Sequence, residues 1–357
     1  MPTVDFIWSS TKEYFSLIPL YKKALEKKWN VRFIRIRKSY LRNLFSVPSL
    51  SKFVVISHDQ PLKRIKKLGW NGKYIYVEHG LGPMKYYTYK YKFFHEADLL
   101  FYPGEVFKRK MEAINPQFKN GLLGGYPKMD ELFHMTINKN EICKKYNLNP
   151  TEPIILFAPS WGGKYNKNCG INNLKYLSSI KNLISIPHPA DYKIAKNMNA
   201  IIPDQNEGIS KFIHLADIVI SDVSSVLAEA CLINKPVIQI ELSQYPGCFP
   251  EIDKRSEKPW ISKTILDNEI KNTHREIRPF KLPFLDEDWI LGHTCKPREL
   301  PKTIEITLRE KEKYKSLRKY WGEQCCWKFD GTITNRMLKM IESFIEKNIP
   351  IQIVELS

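Results

Sequence analysis

The sequence predicts an α/β protein built in two halves, each a mostly parallel sheet covered by helices. Three observations carry this reading. Apolar runs of only a few residues alternate with stretches of helical periodicity, the pattern of strands buried on both faces. The alternation pauses over a polar, helical connection at 129–149 and then restarts. Several of the apolar runs stop in a tight cluster of Gly, Pro, Ser or His, and open α/β sheets gather ligands at such strand ends.

In the first half, strands are expected over Asp5–Ser9, Val31–Ile36, Phe53–Ser57, Tyr74–Val77, Asp98–Tyr102 and Gly121–Gly124, with an amphipathic helix over Lys12–Lys28. The second half repeats the pattern at Ile154–Phe157, Leu183–Ile186, Ala200–Ile202, Asp217–Ile220 and Val237–Glu241. Pro246, Pro250, Pro259, Pro279, Pro283 and Pro297 argue against long helices over 243–300. Helical periodicity returns from Thr303 to Lys347, broken at Asp330–Gly331. The expected division is 1–145, 146–300 and a helical segment 301–357.

At 357 residues the chain exceeds one ordinary core, and 43% hydrophobic with 26% charged residues excludes a disordered or fibrous class. No apolar run is long enough to span a bilayer, and the first residues lack a basic stretch followed by an apolar one, so neither a spanning helix nor a secretory signal is expected. Cysteines 143, 169, 231, 248, 295, 325 and 326 contain no CxxC pair and read as reduced thiols of a cytoplasmic protein. Cys325–Cys326 is too close for an ordinary disulfide and is expected to pack in a terminal helix. The eight histidines include no HxxxH or HExxH pair, which argues against a metal centre.

The net charge is +18, and residues 1–140 hold 25 Lys+Arg against 11 Asp+Glu. Lys22, Lys23, Lys27, Lys28, Arg32, Arg35, Arg37 and Lys38 form one concentration, and Lys63, Arg64, Lys66 and Lys67 another. Such a face attracts nucleic acid or anionic headgroups, unless it is simply a solvated surface. Aromatics interleave with lysines at 86–94, which suits base stacking or a membrane interface equally. No nucleic-acid-binding module is recognisable, so nucleic acid is the remote alternative.

Five strand ends concentrate the chemistry. His79 ends the strand at 74–77 and is followed by Gly80 and Gly82, so it is a candidate general base beside backbone that a ligand can approach. Gly124–Asp130 makes a tight turn containing Gly125, Pro127 and Lys128. The run 154–158 stops at Pro159, and Ser160-Trp161-Gly162-Gly163 follows; Trp161 either stacks on a base or is buried. His188 is pinned between Pro187 and Pro189, a setting for a positioned phosphate donor. The strand at 217–220 ends in Ser221-Asp222, and a helix is expected from Ser224 or Ser225. Its free N–H groups favour an anion, although the two serines also read simply as caps. Glu229, one turn inside that helix, is placed to accept from a ribose hydroxyl.

The set His79-Gly80, Gly125–Asp130, Ile155–Ser160, His188-Pro189, Ile220–Ser225 and Lys235-Pro236 resembles the CDP-glycerol glycerophosphotransferase family in order and spacing over residues 75–240. Phe329–Arg336 is similar to the start of that family's last helix. The resemblance implies a GT-B-like fold, two Rossmann-like domains facing each other across a cleft with C-terminal helices crossing back. It implies transfer of a polyol phosphate from a CDP-linked donor to a hydroxyl of a lipid-linked or glycan acceptor in teichoic-acid or capsule synthesis, with no metal or other cofactor. His79 would be the base on the acceptor hydroxyl, and His188, Ser160, Ser224 and Ser225 would hold the donor's phosphates. Trp161 and Glu229 would contact its nucleoside, on loops supported by Gly80, Gly125, Pro127, Lys128 and Asp222. The basic first half would then dock on the anionic inner leaflet of a peripheral, cytoplasmic-face enzyme. The family often has Arg where Lys128 and Gly162 stand, Tyr at Val223 and Asp at Glu229. These departures leave a second enzyme class, a GT-B glycosyltransferase using a CMP-, CDP- or UDP-activated sugar.

Overall fold

The computed structural model describes residues 1–82, 89, 91–163, 167–198, 200–241 and 291–355. The first sheet holds β1 (Thr3–Trp8), β2 (Asn30–Arg35), β3 (Phe53–Ile56), β4 (Lys73–Val77), β5 (Leu99–Tyr102) and β6 (Gly121–Leu123) in the order β2-β1-β3-β4-β5-β6. The second holds β7 (Ile155–Phe157), β8 (Leu183–Ser185), β9 (Ile218–Ser221), β10 (Val237–Ile240) and β11 (His293–Cys295) in the order β11-β10-β9-β7-β8. Every pairing is parallel.

These runs form strands because both faces are covered. In β3 and β9 every residue is buried, so each is a short run of apolar residues, ended in β9 by Ser221, instead of an alternation. In the first sheet Val4, Phe6, Val55, Ile75 and Val77 enter one core, while Ile7, Val54, Ile56, Tyr74 and Tyr76 enter the core on the opposite face. The order reverses once per sheet: β3 lies on the side of β1 away from β2, and β9 on the side of β7 away from β8. The crevice at each reversal is the natural ligand position of such a sheet.

The C-terminal helices bind the halves together. Helix Lys315–Cys325 packs against Val226–Leu232 of the second half and Glu105–Ile114 of the first. The approach to the latter is so close that a Cβ on Gly104 would lie 2.3 Å from the Gln324 carbonyl oxygen. Helix Ile333–Lys347 lies on Thr11–Glu26. Asp130 of the first half accepts from Ile333 N (3.0 Å) and Thr334 N (2.7 Å), capping this last helix from a distant part of the chain. Gly125, at φ +81°, turns the chain directly against Ile333. Gln352 exchanges two hydrogen bonds with the backbone of Leu123, at the outer edge of β6. Cys325 and Cys326 are buried free thiols, as expected.

Two expectations are corrected. Ala200–Ile202 is not a strand and makes only a single bridge, Ile201 to Ile184, at the edge of β8. Strand β11 was hidden because His293-Thr294-Cys295 is short and carries no apolar run. Pro246, Pro250, Pro259, Pro279, Pro283, Cys248 and, in the aromatic-basic stretch at 86–94, Tyr86, Tyr87, Thr88 and Lys90 lie outside the described residues; of the rest of that stretch Tyr89 and Phe94 are buried. Part of the basic cluster is neutralised internally. Arg32 forks onto Asp5 with two 2.7 Å bonds, Lys23 pairs with Glu26, and Lys63 with Asp59. Among the described residues no helix is long and apolar enough to cross a membrane.

Candidate active site

The carboxyl ends of the two sheets converge on one cavity of about 340 Å³. From the first half it receives Lys12 after β1, His79 after β4, and Tyr126 and Lys128 after β6. From the second it receives Ser160 and Trp161 after β7, His188 after β8, and Ser224, Ser225 and Glu229 after β9. The five expected strand ends thus meet in one cavity. Helix Ser210–Leu215 also reaches the cavity, through Ser210.

The two histidines are held in opposite senses. His79 Nδ1 lies 2.8 Å from the Ser57 carbonyl oxygen and so donates to it, which leaves Nε2 as the ring's proton acceptor. Glu78 stands beside it, its Oε1 3.2 Å from the same Nδ1 and 3.0 Å from the His79 N–H. Burial pushes the Glu78 carboxyl upward, opposed by the His79 N–H. His188 Nδ1 instead accepts from Ala190 N at 3.2 Å, which places that ring's proton on Nε2.

Asp222 ties β9 to β7. It is buried and accepts from Ser160 N (2.8 Å), Ser160 Oγ (2.8 Å) and Val223 N (2.6 Å). Burial drives its carboxyl above the usual range, and these donors oppose the rise. Ser221 Oγ adds a second tie, donating to the Ala158 carbonyl at 2.6 Å. The Ser160 hydroxyl, expected to hold a donor phosphate, is therefore spent on Asp222 and fixes the loop that carries Trp161. Gly163 N donates to the buried Asp191 at 2.9 Å, which anchors the far side of this loop.

The serines after β9 do not cap their helix. Helix Val226–Leu232 has no side-chain cap bond, and Ser225 Oγ donates to Glu229 Oε1 at 3.3 Å. Glu229, expected to face a ribose hydroxyl, also takes Lys128 Nζ at 3.2 Å on its second oxygen, so one carboxylate joins the two halves inside the cavity. Gly80 rests against Ser225, where a Cβ would sit 3.4 Å from Oγ. That is tight but not prohibitive, and its backbone is not left-handed, so the expected need for glycine there is weak. Pro127 starts helix Lys128–His134 and so aims Lys128. Among the described residues no three His, Cys, Asp or Glu side chains gather where an ion could sit, and the one Asp-x-Asp triplet of the sequence, Asp286–Asp288, lies outside them.

Sequence reasoning missed Lys12, Tyr126 and the wall at 203–210. Lys12 had a signal, since Ser9-Ser10-Thr11 after β1 is one more polar strand end. Tyr126 lies within the turn at 124–130, where nothing in the sequence marks it; it lines the cavity, and its hydroxyl pairs with the buried Ser16 at 3.0 Å.

The family model of CDP-glycerol:poly(glycerophosphate) glycerophosphotransferase matches residues 2–246. The chain belongs to that family. It is a transferase of CDP-glycerol-derived polyol phosphate. The fold agrees: the wall teichoic acid polymerase TagF is similar at TM-score 0.64 and 16% identity, over 97% of this chain and 90% of that one. A histidine-to-asparagine variant of TagF soaked with CDPG matches at 0.65 and 16%, over the same shares. The UDP complex of S. aureus MnaA matches at 0.56 and 15%, over 99% and 100%. These likenesses extend a GT-B-like architecture to the described residues beyond those the family model covers. No curated protein matches.

Proposed function

We propose that the cavity transfers glycerol phosphate, or a close polyol phosphate, from its CDP-linked form to a hydroxyl of a lipid-linked or glycan acceptor at the cytoplasmic membrane face. The observation that supports this is the opposed polarity of His79 and His188 in one cavity. His79 Nε2 takes the proton of the acceptor hydroxyl while that oxygen attacks the β-phosphorus. The new P–O bond forms, the anhydride P–O bond breaks, and CMP departs with the electron pair. His188 Nε2–H donates to a phosphate oxygen, and Lys12 adds positive charge where negative charge builds, while Lys128 holds Glu229 in place beside it. Ser224 offers its hydroxyl to the same phosphates, Ser225 does so once it turns from Glu229, and Trp161 lies beside the nucleoside. Charge is carried here by side chains, so the reading assigns no metal.

The test is turnover of CDP-glycerol by the full chain. His79→Ala and His188→Ala should each lower it by about a hundredfold or more, the scale of lost acid–base catalysis, with the melting temperature kept. EDTA should leave the wild-type rate unchanged. Full activity in either variant would sink the assignment, and turnover of a CMP- or UDP-sugar in place of CDP-glycerol would move it to glycosyl transfer.

A further inference from the structure

The strongest feature outside the cavity lies on helix Tyr40–Ser46, just beyond the carboxyl end of the edge strand β2. Tyr40, Leu41, Leu44 and Phe45 are 49, 65, 51 and 86% exposed. Single exposed apolar residues are ordinary, but four within seven positions, gathered by helical spacing, form a patch. The patch is not loosely hung. Asn43 is buried beneath it and grips Arg37 through two 2.8 Å bonds, one to each backbone group, and Ser39 caps the helix at Arg42 N. Arg35, Arg37, Lys38 and Arg42 are exposed around it, and residues 35–49 contain no acidic side chain.

All strands of the first sheet are parallel, so this helix stands at the same edge of the sheet as Lys12 and His79. A half-buried aromatic strip connects the two places. Phe15 lines the cavity and contacts Tyr14 (5.5 Å between ring centres). Tyr14 meets Trp8 (5.1 Å) and Phe33 of β2 (5.4 Å), Tyr21 stacks on Phe33 (4.9 Å), and the Arg35 guanidinium lies 5.1 Å over Trp8.

We propose that this helix is the membrane-docking element. It seats Leu41, Leu44 and Phe45 among the headgroups and upper acyl chains of an anionic bilayer, while Arg35, Arg37, Lys38 and Arg42 hold the lipid phosphates. The charge alone would suit RNA, but RNA has no use for exposed leucines, whereas a bilayer takes both. Tyr40 and the aromatic strip supply amphipathic rings of the kind that settle at the interface. Docked this way, the carboxyl edge of the first sheet faces the lipid surface and His79 opens toward it. The inference rests on the proposed lipid-linked acceptor for its purpose, not for its measurement.

The experiment is flotation of the full chain with phosphatidylglycerol–phosphatidylcholine vesicles and with phosphatidylcholine alone, at matched salt. Wild type should bind the anionic vesicles. The triple variant Leu41→Ser, Leu44→Ser, Phe45→Ser should lose about tenfold or more of that affinity, as expected when three buried apolar side chains are removed. The triple variant Arg37→Gln, Lys38→Gln, Arg42→Gln should bind weakly and with little salt dependence. Both should keep the melting temperature and its rise with CDP, because neither touches the cavity. Equal vesicle binding by the apolar variant, or tighter wild-type binding to RNA than to vesicles, would overturn the proposal. Loss of the CDP response in wild type would instead strike the transferase chemistry and leave the vesicle result standing.

Discussion

Asp222 is the residue on which the geometry of the second half's cavity wall turns. Its carboxylate satisfies two backbone N–H groups and one hydroxyl that have no access to water. Asp222→Ala strands all three, and a buried donor without a partner costs about 1–3 kcal/mol. The expected loss is about 3 kcal/mol or more, read as a lower midpoint in urea unfolding, with weaker CDP binding as the Ser160–Trp161 loop loosens. An unchanged midpoint would refute the role. This is also where the sequence was least informative. Ser160, Ser225 and Glu229 do line one cavity, because each follows a strand at a fixed offset. Their partners were invisible, since Ser160 meets Asp222 across 62 positions and Lys128 meets Glu229 across 101. Offset from a strand end tells which side chains share a cavity; only packing tells which of them are already engaged.

At the level of elements, strands buried on both faces were the most legible, because burial writes them as uninterrupted apolar runs. Edge pieces were the least, as β11 and residues 200–202 demonstrate in opposite directions. The last helix shows another limit. Its start at Thr332–Ile333 was readable from the Asp330–Gly331 break, but its cap was not, because the capping carboxylate is Asp130 on another helix. Asp130→Ala should cost about 1–2 kcal/mol, the usual worth of an N-cap, and should speed hydrogen exchange in helix Ile333–Lys347 before any other segment. Exchange rising evenly over the chain would refute a local capping role.

For the whole molecule, the two halves behave as one body to the extent that the helix at 315–325 holds both. Gly104 permits that contact; its backbone is extended, so the glycine is required by space and not by conformation. Gly104→Ala must push this helix off the first half. Calorimetry should give a single transition for the native chain and two for the variant, and a single transition in both would refute the clasp. The two-sheet plan was legible from the restart of the strand pattern near residue 150. The clasp was not, since nothing local distinguishes a helix that covers one sheet from a helix that joins two.

The hydrogen bonds from Gln352 to Leu123 have a consequence for how the protein is made. All strands of the first sheet are encoded within residues 3–123, yet the outer edge of β6 receives this cover from a side chain 229 positions later. At synthesis rates of about 5–20 residues per second, that interval lasts on the order of 10–45 seconds. Throughout it the nascent sheet lacks this cover, and a bare strand edge is a template for pairing with any extended chain nearby. The time of greatest danger for this enzyme is thus set by translation speed, and slowing the ribosome after residue 123 should lower the yield of soluble protein.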